Sequence, residues 1–486
     1  MVKQTKDGMV NSQSMYKLEG SENMDEENNK KSKKKDEVTI HFENGEQGTT
    51  GTIHGLSKAF NPPKKKSDRR SPEIKQMEKH VGGKVASISK YWNSRLGVLM
   101  LSTLPDFIDS KDFEVISEVR WTRWGEVKEA PTYSLVELGD GETVQVMSEG
   151  QILVKTENGP MVFAAEVDGD GDLRMRISFR TGSKDVVASA KGYLDDFIEF
   201  AWANSPLRGK AWKADFSWIL RTGVIDEPYL TDRVKVKLDL HAHTFIRNLA
   251  DITETNLKSS RGIILSGPPG CGKTMAIKAM IESYPDTTFI VMTSEHLQRR
   301  CVRNIYDMAR RLAPAVVVLE DIDSAGGLSR KVASHPILGE VLQALNGVSE
   351  NKGVFTIATT NFVEDLDDAL RDRPGRFDVI VTIGLPDSDA RYPMLEKHCQ
   401  VNGISPTEKE LTRLVSATKG FSGAWLEEVF STATLVAMHN DRKKLHWSDI
   451  LAAVEDIQER RQVAYEKTPT LPAPPSRDSM SGDLYR

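Results

Sequence analysis

Residues 267 to 274 read GPPGCGKT, a Gly-x-x-x-x-Gly-Lys-Thr spacing suited to the cradling of phosphate. Glycines let successive backbone N–H groups curl around an anion, and a helix beginning at Lys273 adds the partial positive charge of its N-terminus. Lys273 is of the right type to reach the β and γ oxygens of a nucleotide. The Thr274 hydroxyl is a hard oxygen ligand for magnesium. Gly267, Pro268, Pro269, Gly270, Cys271, Gly272, Lys273 and Thr274 are therefore the expected nucleotide contacts. A second run, VVVLEDID from Val316 to Asp323, sets an apolar strand before the adjacent carboxylates Glu320 and Asp321. Such a pair can bind a hard cation, orient a water molecule, or simply end a buried strand in solvent.

These residues need a scaffold that brings them to one edge. The run RGIILS before the loop reads as a strand, and the pattern from Lys273 onward reads as a helix. VFTIATTN, ending at Asn361, and LRDRPGRFDVIVTIGLPD, carrying Arg373 and Arg376, follow in the same style. Each β-rich run ends in polar residues, as parallel strands do where they meet a ligand at their C-terminal ends.

Five stretches in this order, GPPGCGKT, ARRLAPAVVVLEDID, ATTN, LDDALRDRPGRFD and GFSGAWLEEVF, make residues 235 to 460 resemble the AAA family of ATPases. The resemblance implies a RecA-like α/β P-loop ATPase subdomain, a small helical lid, ATP and Mg2+ as cofactors, and a homo-oligomeric ring, commonly a hexamer. It implies that Glu320 holds the magnesium shell together with Thr274, that Asp321 polarises the attacking water, and that Asn361 orients it. Arg373 and Arg376 match arginine fingers that reach a neighbouring subunit's site, and Gly423 and Ala424 match lid residues close to the adenine. The family usually ends this strand in Asp-Glu. Here the order is reversed, and the roles are expected to stay positional.

Two departures from the family pattern bear on the cargo. Protein-threading members carry an aromatic-hydrophobic-glycine pore loop, whereas residues 294 to 300 read SEHLQRR. His296, Arg299 and Arg300 could instead face a pore, or start a solvated helix. The short loop and the Glu-Asp order are similar to the mitochondrial branch that translocates a folded iron–sulfur protein, without its membrane anchor. No His-Glu-x-x-His motif follows the lid, so the likeness to the AAA proteases stops at the ATPase.

The 486 residues are 28% charged with a net charge of -5, which excludes whole-surface attraction to nucleic acid. Three cysteines without C-x-x-C spacing signal neither zinc nor disulfides. No apolar run is long enough to span a membrane, so a cytoplasmic protein is expected.

Five regions are expected. Residues 1–85 form a mostly disordered charged tail with basic clusters at 30–35 and 62–70 and one strand-like run at 37–42. Residues 86–230 form a β-rich α+β recognition or adaptor module. Asn158-Gly159 there signals a hairpin, DGDGD from Asp168 reads as a turn, and LRMRISFR sets Leu173, Met175, Ile177 and Phe179 against the basic Arg174, Arg176 and Arg180. The ATPase subdomain takes 231–385 and the lid 386–465, with Leu411, Leu414, Leu426, Val429, Phe430 and Ala433 on apolar stripes. A Pro-rich tail at 466–486 is expected to be disordered. The leading function is an ATP-driven ring that remodels or translocates a protein or complex; the alternative is a nucleic-acid-handling ATPase using the basic segments.

Overall fold

The computed structural model describes residues 72–466 apart from 122–127, 139–140, 168–171, 220, 225–226, 250–259, 300, 326–335, 347–350, 368–369 and 371–375. Before them it describes the backbone of three strands, β1 (Met15–Lys17), β2 (Asp36–Glu43) and β3 (Thr49–Leu56), which pair antiparallel in that order. The basic clusters, the core of DGDGD, Arg300, Arg373 and the Pro-rich tail lie outside the described residues. The chain divides into two compact units. One takes Met1–Asp226, Leu238–Ser266 and Ile277–Val381, the other Glu227–Lys237, Gly267–Ala276 and Thr382–Arg486.

The first unit contains the β1–β3 sheet and two larger ones. The charged tail read through residue 85 ends earlier, because α1 (Pro72–Val81) packs Met77 and Val81 against Val162. The module continues with β4 (Val85–Trp92), α2 (Ser94–Leu101), α3 (Leu104–Ser110), β5 (Glu114–Trp121), β6 (Lys128–Glu129), β7 (Thr132–Glu137), β8 (Thr143–Thr156), β9 (Gly159–Val167), β10 (Leu173–Arg180) and α4 (Lys184–Ala203). The sheet order is β4-β10-β9-β8-β5-β6, with β7 beside β8. β8 turns into β9 at Asn158-Gly159, where Gly159 has φ +108°. Leu173, Met175, Ile177 and Phe179 are buried together with Phe107, Phe163 and Phe197.

The opposite face of β10 is not the open basic surface its alternation suggests. Arg174 stands across the ladder from Glu166 and Tyr91, and it donates to the Glu166 carboxylate and, at 3.0 Å, to the Tyr91 hydroxyl. Arg176 also forms an ion pair with Glu166. Partnered charges half-removed from water offer little to a nucleic-acid backbone.

After β11 (Ala211–Lys213) come α5 (Asp232–Leu238), α6 (Thr244–Arg247), β12 (Ser260–Ser266), α7 (Lys273–Ser283), β13 (Thr288–Met292), α8 (Ser294–Gln298), α9 (Val302–Arg311), β14 (Ala315–Leu319), α10 (Pro336–Asn346), β15 (Val354–Thr360) and β16 (Val379–Thr382). The sheet order is β11-β13-β14-β15-β12-β16, and the pairings of β11 through β15 are parallel. Every residue of β13, β14 and β15 is buried, which is why these strands carry only apolar residues and threonine rather than alternating with charges. This is the α/β order expected of a RecA-like P-loop domain.

The second unit holds the lid: α11 (Ser388–Val401), α12 (Glu408–Ala417), α13 (Gly423–His439) and α14 (Trp447–Glu466). Thr407 and Glu410 form a reciprocal capping box on α12, and Ser422 caps α13. The predicted stripe residues Leu411, Leu414, Leu426, Val429, Phe430 and Ala433 are buried in its core with Ile450, Val454 and Ile457.

Candidate active site

In the first unit the chemistry gathers beyond the C-terminal ends of β14 and β15. The Glu320 N–H donates to the Met292 carbonyl at 2.8 Å, which continues the ladder one residue past β14. Burial, and then the charge of Asp321, push the Glu320 carboxyl above its ordinary pKa, while Lys213 and Lys278 pull against them. Asp321 is exposed and adopts φ +48°, a left-handed conformation that few residues other than Gly, Asn and Asp tolerate. Its N–H is held by the Thr359 hydroxyl at 2.9 Å, and its carbonyl accepts from Ser324 N–H. Among the described residues neither acid forms an ion pair, and oxygen donors of this kind suit a small, hard cation.

Asn361 follows β15. Its backbone N–H donates to Asp323 Oδ1 at 3.2 Å and its side-chain amide to Asp323 Oδ2 at 3.4 Å. Glu320, Asp321 and Asn361 are thus brought to one corner by Thr359 and Asp323. Sequence reasoning passed over both; the only signal was a third acid two positions after Asp321.

Arg376 lies elsewhere in this unit and is 8% exposed. Its carbonyl stands 2.5 Å from where a Cβ on Gly262 of β12 would be, and Asp378 N–H donates to the Gly262 carbonyl at 3.0 Å. His296, read as a candidate pore residue, is instead a buried helix cap. Its Nδ1 accepts from Thr293 N–H at 3.1 Å, and burial lowers its pKa. Arg299 pairs with Glu295 one turn away.

In the second unit the phosphate loop packs on the lid. A Cβ at Gly267 would lie 1.9 Å from the Ile383 carbonyl oxygen, so only glycine fits. Gly270 has φ +74°, and a Cβ there would lie 2.6 Å from that of Ala424. Ala424 N–H donates to the Gly270 carbonyl at 3.2 Å, which seats the first turn of α13 on the loop. Gly423 and Ala424 therefore touch the loop directly. Lys273 is 7% exposed, and its Nζ donates to the Gly267 and Pro268 carbonyls at 2.6 and 3.1 Å. Thr274 is exposed one residue into α7, and Cys271 is buried with its thiol pKa raised by that burial. Pro228 borders Gly272 on the other side.

Residues 263–385 match the model of the ATPase family associated with various cellular activities (AAA). The chain carries an AAA ATPase domain. It is 32% identical over 226 residues to the ATP-dependent zinc metalloprotease FtsH of Mycoplasmoides gallisepticum, covering 44% of this chain and 29% of that protein. It is 27% identical over 400 residues to the proteasome-activating nucleotidase of Sulfurisphaera tokodaii, covering 77% of this chain and 95% of that protein. The nucleotidase of Methanopyrus kandleri is 30% identical over 241 residues, covering 45% and 55%. The chain spans 28% to 39% of the length of the FtsH relatives it matches. ATP with Mg2+ fits the donors of the AAA domain. Among the described residues no group of three or more His, Cys, Asp or Glu side chains is placed to hold a metal ion. No helix among the described residues is long and apolar enough to cross a membrane.

Proposed function

We propose that this chain is an ATP hydrolase that assembles as a homo-oligomeric ring, commonly hexameric, and couples turnover to remodelling or translocating a protein or complex in the cytoplasm. The observation that carries this reading is the strand-end corner of Glu320, Asp321 and Asn361, tied by Thr359 and Asp323. Lys273 contacts the β and γ oxygens, and the loop N–H groups cradle the phosphates. Thr274 and Glu320 would hold Mg2+, whose charge offsets that of the phosphate oxygens. Asp321 accepts a proton from the attacking water and Asn361 steers it, while Gly423 and Ala424 border the adenine. Arg373 and Arg376 serve the neighbouring protomer's site as the fingers.

A protein client is favoured because an ATP-dependent metalloprotease and a proteasome activator both act in protein turnover, and because Arg174 and Arg176 of β10 are engaged by Glu166. The test is Asp321→Asn in the full chain. It should bind ATP, assemble in light scattering, retain a protein client and release almost no phosphate. Turnover at the wild-type rate, or a wild type that stays monomeric with ATP, would sink the reading; stimulation by added RNA or DNA would transfer it to nucleic acid.

A further inference from the structure

The connector between the antiparallel module and the AAA sheet makes an unusual set of contacts. Arg208 donates through Nε to the Trp202 carbonyl at 3.0 Å, through Nη1 to the Ala313 carbonyl at 2.9 Å, and through Nη2 to the Arg311 carbonyl at 2.5 Å. All three guanidinium nitrogens are engaged by main-chain oxygens, and burial alone lowers its pKa. Two of the acceptors belong to the turn joining α9 to β14, the strand that delivers Glu320 and Asp321. The turn's other two carbonyls are also taken. Leu312 O accepts from the Thr288 hydroxyl at 3.3 Å and Pro314 O from Thr288 N–H at 3.1 Å. Thr288 Oγ1 in turn accepts from Gly209 N–H, next to Arg208, at 3.1 Å. Arg311 reaches back to the module, with 2.9 Å to Glu199 and its guanidinium over the Trp202 ring.

A turn whose every carbonyl is tied cannot slide along the strand axis. We infer that Arg208 is a positioning residue for ATP hydrolysis: by fixing the α9–β14 turn to the end of α4, it sets where the Glu320–Asp321 pair stands, so that docking of the module tunes turnover. This inference rests on the ATPase reading above. Lysine cannot substitute, because one ammonium cannot span three carbonyls in the plane of a guanidinium fork.

The experiment measures steady-state phosphate release against ATP and against magnesium, with melting temperature, for full-length wild type, Arg208→Met and Arg208→Lys. A displaced acid pair predicts a kcat loss of about tenfold to 10²-fold in Arg208→Met, with KM for ATP within about twofold and a raised magnesium requirement. Arg208→Lys should show the same kcat-only defect at smaller size, and it carries the test if Arg208→Met does not fold. A wild-type kcat in Arg208→Lys, or a loss of kcat that merely follows the folded fraction, overturns the inference. An inactive wild type would sink the ATPase reading itself, an outcome distinguishable from an active wild type matched by its variants.

Discussion

The two larger sheets of the first unit treat charge in opposite ways. On the antiparallel sheet Arg174 and Arg176 stand mid-strand and are answered across the ladder by Glu166 on β9. On the parallel sheet the central strands β13, β14 and β15 carry no charge, and the acids appear only past the last ladder residue of β14, where among the described residues neither Glu320 nor Asp321 forms an ion pair. Mid-strand charge here closes a solvated face. Strand-end charge is left without an ion pair among the described residues, and burial shows in the raised Glu320 pKa.

The sharpest way to break this contrast is to compare acids. Asp321→Asn should lower kcat by about 10²- to 10⁴-fold while ATP binding persists, because a general base is lost. Glu320→Gln should instead weaken magnesium-dependent binding of a fluorescent ATP analogue. The opposite pair of results would mean that the Glu-Asp order exchanges the roles. An equal kcat loss in Glu166→Gln would dissolve the contrast altogether.

A second prediction concerns stability. Phe163, fully buried against Phe107 and Phe113, should cost about 3–5 kcal/mol when cut to Ala, read as a lower denaturant midpoint. ATP affinity of the folded fraction should hold. Third, Glu166→Ala strands two arginines that retain some solvent contact, so about 1–2 kcal/mol is expected after discounting for screening. Replacing Arg174, Arg176 and Glu166 together by apolar residues should be nearly neutral in the same denaturation assay.

The smallest effect is in the lid. Two Arg442 N–H groups and His446 N–H hold Asp449 from 3.8 down to about 2. A depressed carboxyl stabilises above its unfolded pKa, so this contribution is present above roughly pH 4 and is lost as pH falls toward 2. Acid titration of lid helicity should flatten in Asp449→Asn; an unchanged profile would remove the pair from the account.

Much of this was legible in sequence. The phosphate loop, the continuous apolar strands and the lid stripes all follow from spacing that one element imposes on itself. What escaped were partnerships between elements. Arg174 looked exposed because its acid lies eight residues back, across a register that sequence does not print. Helix α1 hid among charges, with Met77 and Val81 the buried ones among its described side chains. Asp323, Thr359 and Arg208 act on or through main-chain groups, and a carbonyl acceptor leaves no residue signature at its own position.

The short strand β11 has a practical bearing on protein engineering. It looks like a linker, yet it forms the outermost ladder of the AAA sheet and covers β13. A chimera that exchanged the antiparallel module by cutting after β11 would expose the edge of the fully buried strand β13 and invite aggregation. The graft boundary therefore belongs before Leu207, so that β11 and Arg208 travel with the parallel sheet rather than with the antiparallel module.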